Sequence, residues 1–248
     1  SCRKQNITLD KLVNVIDRFN ESKLLIVGDT IVDQYTACEA LGMSAEAPVL
    51  VVKELEDKTF VGGAAIVAAH AKALGAECTF ISATGNDENA KVIENQLREW
   101  DIKQFLVKDL TRPTTFKKRY MVENQKLFRV SRIEDHELKN DIEQKIISKI
   151  KEKAPDINGI IISDFAYGVI TRNLNEEIMK IAKKYSLKVF ADLQCSSQIG
   201  SITKFKDITL LSPNEREARL ALQDKESGLE LLANILFEKC NCQKLVMK

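Results

Sequence analysis

The sequence predicts an α/β fold in which a mostly parallel central sheet is covered by helices on both faces. Short apolar runs alternate with helical patterns through the second half of the chain, as repeated strand–helix units do. Upstream, the apolar run 24–27 leads into Gly28-Asp29, and the pair Gly62-Gly63 opens an alanine-rich helical segment. Glycines before a helix let a ligand approach bare backbone, and the unpaired N–H groups of a helix N-terminus attract polar ligands.

The individual elements follow from hydrophobic periodicity and from the residues that interrupt it. Helical spacing predicts helices over 7–19, 64–74, 87–100, 140–153, 174–185 and 229–238, with another after Asn214. Apolar runs predict strands over 24–27, 78–82, 102–107, 159–163, 187–191, 208–211 and 245–247. Four further strand candidates, at 35–41, 48–55, 114–122 and 126–133, are predicted to form a small β-lid.

The composition is that of one globular domain. No linker rich in proline, glycine or serine divides the 248 residues, so we expect residues 1–248 to form one domain with lid segments near 35–56 and 114–133. Lys and Arg number 37 against 36 Asp and Glu, which argues against a nucleic-acid-binding surface. No apolar run reaches the ~18–20 residues of a membrane span.

The six cysteines are scattered, and only Cys240 and Cys242 lie close together in sequence. The two histidines, His70 and His136, lie far from that pair, so no spacing provides the four ligands of a zinc site. Free thiols are typical of a reducing compartment, and residues 1–10 are polar without a signal-peptide core. We therefore expect a cytoplasmic protein without structural zinc.

Carboxylates follow several of the predicted strands. Asp29 and Asp33 follow the first strand, and Asp164 and Asp192 end two strands of the second half. A single Asp at such a point is most often a helix cap or a turn former. Because ligands of open α/β sheets bind at the carboxyl ends of the strands, a whole set of such carboxylates favours a ligand site. A carboxylate there can accept hydrogen bonds from two sugar hydroxyls.

Two short motifs are candidates for binding phosphate and metal. Asn214 and Glu217 stand three residues apart at a helix start, where they can orient water around a magnesium ion. The alternative, which the pattern favours, is a capping box. Lys117 and Arg119 share one face of a strand and can meet a phosphate. The alternative for these two is a solvated edge strand whose charges prevent aggregation.

These motifs resemble, in order and spacing, those of the ribokinase-like (PfkB) sugar kinases. The resemblance extends from about residue 23 to residue 248, and it implies a three-layer sandwich with a small β-lid. The matching segments are 28–33, Gly62-Gly63, Thr84-Gly85-Asn86-Asp87, Ser163-Asp164, Asp192 and Asn214-x-x-Glu217. Segments 44–49, 62–65 and 163–168, and Asn124-Gln125 followed by Arg129, are most similar to bacterial D-glycero-D-manno-heptose-7-phosphate kinases. Those enzymes transfer the ATP γ-phosphoryl to the anomeric hydroxyl, on the route to ADP-heptose for lipopolysaccharide.

The resemblance implies roles for individual residues. Asp33, Gly62 and Gly63 correspond to the sugar-hydroxyl site, and Lys117 and Arg119 suit the 7-phosphate. Three residues are assigned to the nucleotide: Asn214, Glu217 and Asp192. Glu217 is also assigned to magnesium, which it contacts through water. Asp164 is a catalytic candidate near the phosphoryl path. The resemblance also implies ATP as phosphoryl donor. A homodimer formed through the lid is a further expectation. The Gly-Ala-Gly-Asp segment that carries the family's main catalytic base is expected beyond Lys248, so residues 1–248 are expected to be inactive alone.

Three departures from the family pattern keep other functions open. Ile66 stands in place of a sugar-binding Asn, Gly42 in place of an Arg, and Gln194 in place of a Lys. One alternative is a kinase for another sugar or for a nucleoside. The other is a catalytically inactive relative that binds a sugar phosphate.

Overall fold

The computed structural model describes residues 7–194 and 201–248. In chain order the strands are β1 (Lys23–Gly28), β2 (Thr30–Met43), β3 (Leu50–Gly63), β4 (Glu77–Thr84), β5 (Lys103–Lys108), β6 (Phe116–Val122), β7 (Gln125–Arg132), β8 (Gly159–Asp164), β9 (Lys188–Leu193), β10 (Leu210–Leu211) and β11 (Lys244–Leu245). The helices are α1 (Leu9–Asp17), α2 (Ala64–Ala73), α3 (Glu88–Glu99), α4 (Asn140–Lys153), α5 (Arg172–Tyr185), α6 (Glu215–Leu222) and α7 (Leu229–Cys240).

The central sheet has seven strands in the order β11-β10-β9-β8-β1-β4-β5, and every neighbouring pair is parallel. Side chains of β1 alternate between two cores, because successive residues of a strand point to opposite faces. Leu25 and Val27 pack in the core that contains the apolar residues of α4, α5 and α7. Ile26 packs with those of α2 and α3. This arrangement is the expected three-layer sandwich.

Helix α2 packs closely on the sheet because its first residues are small. Ala64, Ala65 and Ala68 are fully buried, and the Ala64 N–H donates to the carbonyl of Asp29 over 2.8 Å. Gly63, immediately before the helix, has a φ of 65°. A Cβ at Gly63 would lie 2.4 Å from the Asp29 carbonyl oxygen, so this junction requires glycine.

A second sheet of four strands, which we call the lid, has the order β3-β2-β6-β7. Strand β2 is antiparallel to β3 and parallel to β6, and β6 and β7 form an antiparallel hairpin. Strand β2 begins two residues after β1 ends, and β3 ends where α2 begins. The lid is therefore anchored at the carboxyl end of β1, where ligands of parallel sheets bind.

The predicted helix at 140–153 agrees with α4, whereas the first two lid strands are longer than predicted. Strands β2 and β3 have 14 residues each, against predictions of 35–41 and 48–55. Most of β3 is exposed and carries consecutive charges, so it lacks the alternating apolar pattern that signals a strand. Within the described residues, every helix is too short or too polar to cross a lipid bilayer.

Candidate active site

The predicted sugar-binding residues come together where the lid meets α2. Asp33 of β2 lies in register with Lys117 of β6 on one side and with Phe60 of β3 on the other. Gly62 flanks the carboxylate, because a Cβ at Gly62 would lie 3.1 Å from Asp33 Oδ2. Gly62 therefore lets this oxygen lie close to the backbone, and the Asp33 side chain remains 21% exposed.

Both predicted phosphate ligands lie on this face of the lid, and both contact other side chains. The guanidinium of Arg119 forms an ion pair with Asp33 Oδ1 and lies 5.1 Å from the centroid of the Tyr35 ring. Lys117 is buried, and its ammonium lies 5.0 Å from the centroid of the Tyr167 ring. Strand β6 is an interior strand between β2 and β7, so the alternative of a charged edge strand is wrong.

Asp29 holds the loop that follows β8. Its carboxylate accepts hydrogen bonds from the backbone N–H groups of Phe165 at 2.7 Å, Val169 at 3.1 Å and Tyr167 at 3.4 Å. Burial, followed by the charge of Asp164, raises the pKa of Asp29 to about 7, although the three N–H groups act in the opposite direction. Asp29 therefore fixes the loop 165–169 against the first strand.

Asp164, the catalytic candidate, is 1% exposed at the end of β8. Its Oδ1 accepts a hydrogen bond from the Ala166 N–H over 2.8 Å, and its Oδ2 forms an ion pair with Lys204. The Lys204 ammonium also donates to the carbonyl of Ile170 over 3.1 Å. To act as a base, Asp164 would have to exchange at least one of these partners. No sequence pattern predicted a role for Lys204, which lies in a short 3₁₀ turn at Ile202–Lys204.

Asp192 lies at the same edge of the sheet, one strand further along. It stands in register with Ser163 of β8, and its Oδ1 accepts a hydrogen bond from the Lys248 ammonium over 2.6 Å. The backbone N–H of Lys248 donates to the carbonyl of Pro213 over 2.8 Å. These contacts join the ends of β9 and β10 to residue 248.

Asn214 and Glu217 form the capping box at the start of α6. The Glu217 N–H donates to Asn214 Oδ1 and the Asn214 N–H donates to Glu217 Oε2, both over 2.8 Å. Glu217 is 3% exposed, and its Oε1 has no hydrogen-bond partner among the described residues. Because buried polar atoms are rarely left unpaired, the capping box leaves one carboxylate oxygen that fits a contact with metal-bound water.

The described residues contain no cluster of side chains suited to direct metal coordination. In residues 7–194 and 201–248, no group of three or more His, Cys, Asp or Glu side chains could hold a metal ion. Magnesium usually keeps several waters and binds through one or two carboxylates together with substrate phosphates. The single oxygen of Glu217 is compatible with that kind of site.

A cavity of about 720 Å³ borders the capping box, within the usual size range of small-molecule sites. Its walls include four basic side chains: Arg216, Arg219, Lys225 and Lys248. Glu215 also lines the cavity and pairs with Arg219 at 2.8 Å, and Lys248 pairs with Asp192, so part of this positive charge is neutralised within the protein. The remaining positive charge favours an anionic ligand.

Arg112 holds the loop that follows β8 through a contact with the Tyr167 carbonyl. No sequence pattern predicted this role. The buried guanidinium of Arg112 donates to Asp109 Oδ2 over 2.9 Å, to the Tyr167 carbonyl over 2.8 Å and to the His136 carbonyl. Burial raises the pKa of Asp109, but hydrogen bonds from Thr111 and the charge of Arg112 lower it below its ordinary value overall. The i, i+3 spacing of Asp109 and Arg112 was the available signal for this pair.

The four cysteines among the described residues have free thiols, as predicted. Cys38, Cys78, Cys240 and Cys242 are buried free cysteines. Burial raises the pKa of the Cys78 and Cys240 thiols to about 11, which makes them unreactive. Cys2 and Cys195 lie outside the described residues.

Comparison with known proteins decides the family. A family model described as pfkB family carbohydrate kinase matches residues 21–248. The chain belongs to the pfkB family of carbohydrate kinases. The predicted family is therefore confirmed, and so is the expectation, at the level of the family, of a phosphotransferase that acts on a sugar.

Among curated relatives, the bifunctional protein HldE of Campylobacter jejuni subsp. doylei is 36% identical over 201 residues, which cover 81% of this chain and 41% of the relative. The bifunctional protein HldE of Geobacter sulfurreducens is 32% identical over 208 residues, covering 82% of this chain and 42% of the relative. The chain thus spans about two fifths of the length of these curated relatives.

Solved structures show the same fold at low sequence identity. Arabidopsis thaliana ribokinase, complexed with ribose and ATP, superposes with a TM-score of 0.65 at 19% identity, covering 92% of this chain and 72% of that chain. Escherichia coli phosphofructokinase-2, in complex with fructose-6-phosphate, gives a TM-score of 0.66 at 14% identity, covering 91% and 73%. The predicted ribokinase-like fold is confirmed.

Proposed function

We propose that this pfkB-family chain is the kinase part of an enzyme that acts on D-glycero-D-manno-heptose 7-phosphate. The enzyme transfers the γ-phosphoryl of ATP to the anomeric hydroxyl, a step in the synthesis of ADP-heptose for lipopolysaccharide. The observation that carries this proposal is the placement of Asp33 and Gly62 beside Lys117 and Arg119 on one face of the lid. A partly exposed carboxylate that shares a face of the lid with two cations matches a polyhydroxylated molecule that carries a phosphate.

Each residue of this face has one task in the proposed enzyme. Asp33 Oδ2, which lies beside Gly62 and away from the Arg119 contact, accepts hydrogen bonds from sugar hydroxyls, and Gly63 offers bare backbone at the start of α2. Arg119 offers a planar, bidentate contact to the phosphate, and Lys117 adds a second positive charge. Orientation of the sugar by these contacts holds the anomeric hydroxyl toward the carboxyl ends of the central strands.

ATP is the proposed donor, and magnesium bound with it would neutralise charge on the phosphates. Glu217 fits this role because Oε1 remains buried and unpartnered while Oε2 caps α6. Asn214 fixes the orientation of Glu217 through the capping box. Asp192 lies at the same sheet edge and is proposed to contribute to nucleotide binding.

The charge of Lys204 supports a catalytic role for this sheet edge. Gln194 departs from the family's lysine, yet the Lys204 ammonium lies at the carboxylate of Asp164. A cation is therefore present at the end of β8 from another part of the chain. We propose Asp164 as a residue of the phosphoryl path, with Lys204 as its partner.

The proposal extends to the domain organisation, the compartment and the oligomeric state of the enzyme. We propose that residues 1–248 form one domain in which the segments 35–56 and 114–133 close over the sugar, and that the enzyme acts in the cytoplasm. A homodimer through the lid is proposed because the lid exposes large apolar side chains, which often mark protein interfaces. They are Leu41, Met43, Leu50, Leu55, Phe60, Phe128 and Val130.

An ADP-release assay on the full-length natural protein tests the function. Heptose 7-phosphate, unphosphorylated heptose, ribose and fructose 6-phosphate serve as acceptors. We expect the highest kcat/KM with heptose 7-phosphate and a large loss of kcat/KM in Asp33→Asn. Preference for another acceptor would redirect the proposal to that sugar, and ADP release that no acceptor stimulates would contradict it.

A further inference from the structure

The two groups that the proposed function assigns to the substrate are paired with each other. Arg119 is expected to bind the phosphate and Asp33 the hydroxyls, yet the Arg119 guanidinium forms an ion pair with Asp33 Oδ1. The side chains of Arg119 and Asp33 are 16% and 21% exposed, so solvent and salt screen this pair less than a fully exposed one. The Tyr35 ring, 5.1 Å from the guanidinium, also holds Arg119 in this position.

A second arginine beside Arg119 favours the contact between Arg119 and a carboxylate. Arg129 of β7 stands in register with Arg119 on the neighbouring strand, so both residues lie on the same face of the lid. Like charges in that relation repel each other, and the carboxylate of Asp33 offsets the repulsion. Lys117, in register with Asp33, is directed to the Tyr167 ring, which leaves Arg119 as the ion-pair partner that the structure shows for Asp33.

The same contact has a different consequence for two kinds of sugar. An unphosphorylated sugar that donates hydrogen bonds to both oxygens of the Asp33 carboxylate must displace the guanidinium from Oδ1, and it offers Arg119 no anion in return. A sugar phosphate offers a phosphate to the guanidinium, a charge-assisted contact of the strong kind, and so replaces the carboxylate it displaces. Discrimination between ligands can come from such an interaction that the wrong ligand breaks without replacing it.

We propose that the Asp33–Arg119 ion pair is a specificity gate that closes Oδ1 of the hydroxyl-binding carboxylate to neutral sugars. It opens when the phosphate of a sugar phosphate takes over Arg119. This inference rests on the proposed function and deepens it, because it adds rejection of the unphosphorylated sugar to recognition of the phosphate. Arg119 thus weakens the binding of one ligand and strengthens the binding of the other.

Calorimetry on the full-length protein, with heptose 7-phosphate and with free heptose, tests the gate. In Arg119→Ala we expect heptose 7-phosphate to bind at least about tenfold more weakly, because a charge-assisted contact is lost. Free heptose should bind about fivefold more tightly, because Asp33 is released from its partner. Lys118→Ala is the matched control: Lys118 lies on the same strand but the opposite face, paired with Glu54 at 3.1 Å, and both affinities should stay unchanged.

Two further variants separate the loss of the ion pair from misfolding and from effects that do not involve Asp33. Arg119→Gln, which retains more of the side-chain volume, should also tighten free heptose binding, and it carries the test if Arg119→Ala fails to fold. Asp33→Asn in the Arg119→Ala background should abolish the gain. If removal of Arg119 weakens heptose 7-phosphate but leaves free heptose unchanged, the gate is overturned while the proposed function stands. If the wild type binds neither ligand, the proposed function fails and the gate with it.

Discussion

The ammonium of Lys204 is ion-paired with the carboxylate of Asp164, at the carboxyl end of the strand next to β1. Asp164 is 1% exposed, whereas the Lys204 side chain is 28% exposed. A buried carboxylate at the sheet edge is thus balanced by a cation from the connection between β9 and β10. This contact links the candidate catalytic side chain to a segment that is distant in sequence.

The pair should behave as a coupled unit in unfolding. Lys204→Met leaves a buried carboxylate without its cation. Breaking a fully buried pair costs roughly 3–5 kcal/mol, and because the Lys204 side chain is 28% exposed, we expect a smaller loss in the free energy of unfolding. The double variant with Asp164→Asn should lose less than the sum of the two single changes, as measured by urea denaturation. Lys248→Met removes a more exposed pair with Asp192 and serves as the control, with a cost below about 1 kcal/mol. Strict additivity would show that the Lys204 contact adds no stability.

The stability of the fold should respond to the ionisation of Asp29. Its pKa is raised from 3.8 to about 7, first by burial and then by Asp164, so the folded state favours the protonated form. The contribution of Asp29 to the free energy of unfolding is fully present below about pH 4 and is lost as the pH rises toward 7. The difference in free energy of unfolding between the wild type and Asp29→Asn, from urea titrations between pH 4 and 8, should therefore fall across this window. A difference that does not change with pH would show that Asp29 stays ionised throughout.

Glu217→Gln separates helix capping from nucleotide handling in the full-length protein. The amide retains one carbonyl oxygen to accept the Asn214 N–H but removes the negative charge at the unpartnered oxygen. We expect turnover to fall strongly while the melting temperature changes little. Glu217→Ala, which also loses the hydrogen bond from the Asn214 N–H, should cost about 0.5–1.5 kcal/mol of stability. A Glu217→Gln protein with full turnover and reduced stability would leave the capping box as the whole role of Glu217.

A methyl group at residue 62 should interfere with Asp33. Gly62→Ala places a Cβ 3.1 Å from Asp33 Oδ2, so the carboxylate must shift and the space for a hydroxyl shrinks. We expect the KM for the sugar to rise roughly tenfold, measured by steady-state kinetics. Gly228→Ala, where a Cβ would have no atom within 4 Å, is the matched control and should leave KM unchanged. Equal KM values in the two variants would place the sugar away from Gly62.

The parts of the fold with strong local signals could be predicted from the sequence. Helix α4 has the predicted bounds because its apolar spacing is regular and Pro155 follows it. The parallel sheet was predicted from the alternating strand–helix units, and the lid hairpin from the adjacent strand candidates at 114–122 and 126–133. Strand β3 was predicted too short because its charged residues are exposed and provide no apolar alternation.

The partners of the site residues could not be predicted, because they depend on tertiary contacts. Asp33 and Arg119 were assigned separate ligands, and only the parallel pairing of β2 with β6 brings them together. Lys204 lies in a segment without periodicity, so its contact with Asp164 left no local signal. The choice between capping and metal binding at Glu217 was open because the same side chain caps with one oxygen and leaves the other unpartnered.

Identification of the reaction product tests the central claim most directly. The full-length protein is incubated with ATP and heptose 7-phosphate, and the product is examined by phosphorus NMR with proton coupling. We predict a second phosphate on the sugar whose phosphorus couples to the anomeric proton, and loss of this product in Asp33→Asn. A sugar that retains a single phosphate, or one that gains a phosphate at another hydroxyl, would contradict the proposed function.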